Sequence, residues 1–117
     1  MDAIRISIGV DAVEFRVVHR FLSKESYWAQ GISEERLRRA LANSVCVSAF
    51  RGGCQVGFAR VVTDRATFAY LCDVFVDETV RGRGVGKMLV AAAVEHPELR
   101  GLRRWFLATR DAHGLYA

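Results

Sequence analysis

The stretch from Tyr70 to Glu95 constrains this chain most. Tyr70–Val76 is apolar except for Asp73 and is rich in aromatic and β-branched residues, which predicts a buried strand. The run breaks at Asp77-Glu78-Thr79-Val80. From Val85 onward, Val85, Met88, Leu89, Ala92 and Ala93 recur at i, i+3, i+4, i+7 and i+8, the apolar stripe of one helix. Glu95-His96-Pro97 ends it, because the residue before a proline is pushed out of the helical region. Between strand and helix lies Arg81-Gly82-Arg83-Gly84-Val85-Gly86-Lys87. The unit is therefore strand, glycine-rich turn, helix.

Such a turn has a physical use. Gly82, Gly84 and Gly86 lack a Cβ, so the backbone there approaches a ligand closely and reaches positive φ. The first N–H groups of a helix have no intrahelical partner, and with the helix dipole they favour phosphate. Arg81, Arg83 and Lys87 surround them with positive charge. The bland alternative is a flexible turn carrying solvated basic residues. Two familiar phosphate loops do not fit. In a Walker A loop, Arg81 would hold the first glycine position and Met88 that of the metal-binding hydroxyl. A dinucleotide fingerprint needs G-x-G-x-x-G and an acid about 20 residues on. The spacing here is G-x-G-x-G, and the next strand carries Trp105, Phe106 and Leu107 instead.

The rest of the chain frames this unit. Ile4, Ile6 and Ile8 alternate with polar residues and predict a strand over residues 3–9. Asp11 and Glu14 have the spacing of a capping box, and Val17, Val18, Phe21 and Leu22 give a helix face down to about Ser23. Ser33 is a good N-cap for a second helix to about Ala42, with Glu34 and Glu35 in its first turn. Ile32 and Leu37 are placed to form a hydrophobic staple. Apolar runs over residues 45–50 and 55–63 flank Gly52-Gly53, the mark of a hairpin. Residues 64–67 turn the chain into the Tyr70 strand, completing a three-strand antiparallel meander. A further strand over residues 104–109 follows a helical crossover and is expected to lie parallel to its neighbour. Asp111 is placed to cap a last short helix over residues 112–116.

The pattern R-x-x-G-x-G at Arg81, Gly84 and Gly86, after the strand end Val74-x-Val76, resembles motif A of the GNAT superfamily of acyl-CoA-dependent N-acetyltransferases. Ala112-x-x-Leu115-Tyr116 resembles the family's motif B. The element order β-α-α-β-β-β-α-β-α resembles that of a GNAT domain over nearly the whole chain. The resemblance implies an α/β (α+β) three-layer fold: a central, mixed, mainly antiparallel twisted sheet with helices on both faces. It implies one domain over residues 1–117, apparently stopping after the motif B helix and before the family's last strands. The Trp105 strand would then be an open edge, suited to recruiting another copy.

The resemblance also implies direct transfer of an acetyl group from acetyl-CoA to an amine. Arg81, Gly82, Arg83, Gly84, Val85, Gly86 and Lys87 would hold the pyrophosphate of coenzyme A. Backbone groups of Val74, Phe75 and Val76 would bind the pantetheine arm, with one N–H polarising the thioester carbonyl, an effect of a few kcal/mol. Tyr116 would protonate the departing thiolate, since a phenol with a reference pKa of about 10 keeps its proton at neutral pH. Asp73 is the leading candidate for the base that takes the amine proton, ahead of His113 and Glu78. Against these roles stand plainer ones: a central strand, a packing aromatic and a polar residue on a solvated face. Tyr27 and Trp28 lie where the family shapes its acceptor pocket, or simply anchor a loop.

Composition narrows the alternatives. At 51% apolar residues the chain has enough to build a core, yet no run approaches the roughly 20 residues of a membrane span. Met1-Asp2-Ala3-Ile4-Arg5 lacks the apolar segment of a signal peptide, which suggests the cytoplasm. Three cysteines (Cys46, Cys54, Cys72) without a C-x-x-C indicate neither a disulfide framework nor zinc, and all three are expected to be buried. A net charge of +4 suits an anionic cofactor. No block of five or six like charges supports a nucleic-acid binder. A catalytically idle acyl-CoA-binding module is the main alternative to an enzyme acting on a small-molecule or peptide amine.

Overall fold

A computed structural model describes residues 3–26 and 28–107. Five strands form one sheet in chain order: β1 (Ile4–Ile8), β2 (Val45–Arg51), β3 (Cys54–Thr63), β4 (Phe68–Val76) and β5 (Arg104–Leu107). The first four are joined antiparallel, and β5 runs parallel to β4. The parallel step is the one bridged by helix α3 (Val85–Glu95), as a crossover requires. The meander thus has four strands, since β1 returns to pair with β2.

Alternation along the strands sorts side chains to two faces. One face carries Val47, Ala49, Ala59, Val61, Ala69 and Leu71, which bury Val85, Leu89 and Ala93 of α3. Gly57 lets α3 settle there. A Cβ at that position would lie 3.1 Å from Leu89 Cδ1 and 3.2 Å from Val85 Cγ1. The other face carries Cys46, Phe58 and Phe75 under α1 (Phe15–Arg20) and α2 (Glu34–Ala42). Those helices contribute Val18, Leu37 and Leu41, and the π-turn that follows α1, Phe21–Glu25, adds Leu22. Ser33 caps α2 as expected, its hydroxyl accepting the N–H of Arg36 at 3.1 Å.

Three local expectations need correction. Asp11 and Glu14 form no capping box. Residues 10–12 make a 3-10 turn, and the N–H of Glu14 donates to Gln55 Oε1 at 2.8 Å instead. A buried glutamine from β3 thus satisfies the helix entry. The first helix does not stop near Ser23 but continues as a π-turn over Phe21–Glu25, closed by Ser26 N–H to Phe21 O at 3.0 Å. Cys54 is exposed, because it follows directly on the Gly52-Gly53 turn at the tip of the hairpin.

Cys46 and Cys72 are buried, and burial pushes both thiols up to about 11, against the opposing pull of Arg60. A thiol held protonated is a poor nucleophile. A disulfide reagent at pH 8 is therefore expected to titrate one cysteine rapidly in the native protein and all three after unfolding. Three fast thiols in the native chain would contradict this burial.

β5 is the outer strand among the described residues. Trp105 turns inward and packs half-buried against the α3-side core, while Phe106 on the opposite face is 49% exposed. No helix among the described residues is long and apolar enough to cross a membrane.

Candidate active site

The site begins where β4 loses its regular pairing. Phe58 of β3 faces Phe75, but Arg60 faces Cys72, so Ala59 lies opposite both Asp73 and Val74. This is a β-bulge, and it leaves the extra residue outside the ladder. Asp73 carries the distortion with φ 53°, a left-handed conformation that strains a non-glycine residue by about 1 to 3 kcal/mol. On its other side, β4 pairs with β5 only from Phe68 to Leu71 among the described residues. Among the described residues, Cys72–Val76 has no ladder partner on that edge, and the backbone groups of Val74, Phe75 and Val76 lie along it.

The strand leads directly into the phosphate turn. Asp77 opens a 3-10 turn, Glu78–Val80, by accepting the N–H and the hydroxyl of Thr79, both at 2.8 Å. The Thr79 N–H, then its hydroxyl, hold the Asp77 carboxyl below its ordinary range. Val80 is buried under the turn, and Arg81 Nε donates back to Val76 O at 3.2 Å. Gly82 and Gly84 have φ 85° and 79°. Neither has protein atoms within 4 Å of where a Cβ would stand, so the backbone conformation, not crowding, demands glycine. Gly84 is the N-cap of α3, and Gly86 is buried in its first turn.

Val76, Val80, Arg81, Gly82, Gly84, Val85, Gly86 and Lys87 line a cleft of about 410 Å³. That volume lies within the usual range for a ligand pocket. The cleft joins the N-terminus of α3, beside Arg81 and Lys87, to the end of β4 at Val76. Of the sequence-derived set, Val76 and six turn residues (Arg81, Gly82, Gly84, Val85, Gly86 and Lys87) line this cleft, while Val74, Phe75 and Arg83 are not among its lining residues.

On the α1 face, aromatic rings pack against the end of β4. Phe21, on the π-turn, stacks on Phe75 with ring centroids 4.1 Å apart, and Trp28 lies 6.2 Å from Phe21. Buried Ser26 donates to Leu22 O at 2.7 Å and accepts the N–H of Ala29 at 3.1 Å, fixing the start of the loop.

Asp73 stands in a different setting from that of a free base. Its Oδ2 accepts Arg60 Nε at 2.6 Å and its Oδ1 accepts Trp28 Nε1 at 2.7 Å. Each carboxylate oxygen is already engaged by a donor. Arg60 was not singled out from the sequence. The available signal was a single cation in the apolar β3 run, opposite a single anion in the apolar β4 run. Tyr116, His113, Asp111 and Tyr27 lie outside the described residues.

The comparisons with known proteins agree with this geometry. A candidate acetyltransferase of Gibberella zeae is 30% identical over 137 aligned positions, covering 99% of this chain and 69% of that protein. A crystal structure of a candidate acetyltransferase of the GNAT family from Xanthomonas campestris is 47% identical. It superposes with a TM-score of 0.93, covering 99% of this chain and 82% of that one. A candidate acetyltransferase from Deinococcus radiodurans shares the fold at 23% identity and a TM-score of 0.75, over 97% of this chain and 78% of its own. The profile of the Acetyltransferase (GNAT) family matches residues 15–117, and with the 30% identical relative it places this chain in that family.

Proposed function

We propose that the protein transfers an acetyl group from acetyl-CoA to the primary amine of a small-molecule or peptide acceptor. The observation that carries this reading is the cleft at the α3 N-terminus, which reaches Val76 at the end of β4, beyond the stretch that pairs with β5 among the described residues. When bound, acetyl-CoA supplies the activated thioester.

The chain's own groups do the rest. Amides of the Gly82–Lys87 turn hold the pyrophosphate, with Arg81, Arg83 and Lys87 adding charge. The edge of β4 at Val74, Phe75 and Val76 takes the pantetheine arm, and an N–H there stabilises charge on the thioester oxygen. The amine nitrogen forms a bond to the carbonyl carbon and gives up a proton to water as the carbon–sulfur bond breaks. Tyr116 supplies a proton to the departing sulfur.

The test is release of free thiol from acetyl-CoA in the presence of a broad panel of primary amines. Amine-dependent thiol release with stoichiometric acetylated product is expected. Binding of acetyl-CoA without turnover for any amine would favour an idle acyl-CoA-binding module instead.

A further inference from the structure

We propose that Arg60, Asp73 and Trp28 form a latch that fastens the 28–32 loop across the β4 bulge, with Arg60 and Asp73 as positioning residues. As an assignment to the acceptor side of the reaction, this rests on the acetyl-transfer reading above.

The three residues come from three separate parts of the chain. Asp73 is 45 positions from Trp28 and 13 from Arg60, yet its two oxygens bind one donor from each at 2.7 and 2.6 Å. The ion pair is largely out of water, with the Arg60 and Asp73 side chains 18% and 9% exposed. Arg60 is itself fixed from below, its Nη1 donating to Ser44 Oγ at 3.0 Å. Cys46 and Cys72 flank it in register on the neighbouring strands. The arginine is thus a rigid post on β3, and the aspartate is held on it at the point of left-handed backbone.

Trp28 completes the device from outside. It is 43% exposed, but its indole N–H points down onto the carboxylate. That bond holds the loop against the strand whose edge faces the cleft. The loop's own backbone bonds are few: Ala29 N–H to Ser26 Oγ, Gly31 N–H to Ser23 O and Ile32 N–H to Ala29 O. Losing the indole bond removes this polar tie between the loop and the bulge. An acceptor wall built on that loop then becomes less well placed, while the phosphate turn on the other side of the strand is untouched.

Two variants test the latch without stranding a buried charge. Trp28→Phe keeps an aromatic ring and deletes the N–H donor together with the pyrrole half of the indole. The double variant Arg60→Met/Asp73→Asn removes both charges together. Hydrogen exchange at the amides of Ala29, Gly31 and Ile32 is expected to rise about 10-fold in each, the scale of one hydrogen bond to a charged group. The amides of Leu37 and Leu41 in α2 should not change.

With the best amine found, KM for the amine should rise about 10-fold in both variants and in Asp73→Asn. The acid limb of the pH–rate profile should persist. Unchanged loop exchange in both variants would overturn the latch, even if acetyl transfer holds. A fall of 100-fold or more in kcat confined to variants of Asp73, with the acid limb lost, would instead make Asp73 the base and overturn its positioning role. If no amine is turned over, the acetyl-transfer reading falls, and the exchange measurement alone decides the latch.

Discussion

Coenzyme A at 100 times its dissociation constant raises the melting temperature of the wild-type chain by on the order of 10 °C, and Gly84→Val loses that rise. The magnitude follows from mass action. Saturation at that level adds about 2.7 kcal/mol, and each kcal/mol moves a domain of this size by several degrees. The loss follows from the turn. Gly84 has φ 79° and ψ 16° and caps α3 at the mouth of the cleft. A side chain there meets no protein atom, so the variant should still fold. It pays only the left-handed strain, about 1 to 2 kcal/mol for an L-residue. Its branched side chain nonetheless stands where a phosphate must approach the amides. The expected signature is a slightly lower melting temperature together with no ligand shift. Differential scanning calorimetry with and without coenzyme A reads both at once. A full ligand shift in well-folded Gly84→Val would remove this turn from the cofactor site.

Tyr116→Phe should lower turnover by about 100-fold, the low end for losing a general acid. Phenylalanine keeps the ring and its packing but has no proton to give. Binding of acetyl-CoA should therefore be nearly unchanged, because the pyrophosphate and pantetheine contacts lie on the turn and on β4. That split between turnover and binding separates catalysis from packing, since a packing role tolerates phenylalanine. Single-turnover acetyl transfer measures the rate, with acetyl-CoA affinity measured separately. Equal rates in the two proteins would leave water as the proton source for the departing sulfur.

The strand, glycine turn and helix proposed to hold the cofactor were legible in the sequence because they are local. An apolar strand, three glycines at alternate positions and an apolar helical stripe follow one another within 26 residues, Tyr70 to Glu95. The constraint on each is short-ranged. Glycine is needed where φ is positive, and the structure has Gly82 and Gly84 in that conformation. The strand order and the parallel β4–β5 step were legible for the same reason, since turn residues and connection length decide how neighbouring strands pair.

The tertiary structure alone decided the acceptor side. Nothing near Asp73 in the chain announces a left-handed residue, because only the register of β3 against β4 places two residues opposite Ala59. The same register brings Arg60 onto Asp73, and the return of the π-turn brings Trp28 onto its other oxygen. A carboxylate in an apolar strand reads as a candidate base when its neighbours are counted along the chain. Counted in space, it is the centre of an ion pair. Cys54 shows the same limit in reverse, since a strand-like run suggested burial and its place beside the hairpin turn exposed it. Local sequence determined the elements and the phosphate turn through backbone preference and hydrophobic period. Long-range register determined which charges meet, because electrostatic partners are chosen by distance in the fold and not by spacing in the chain.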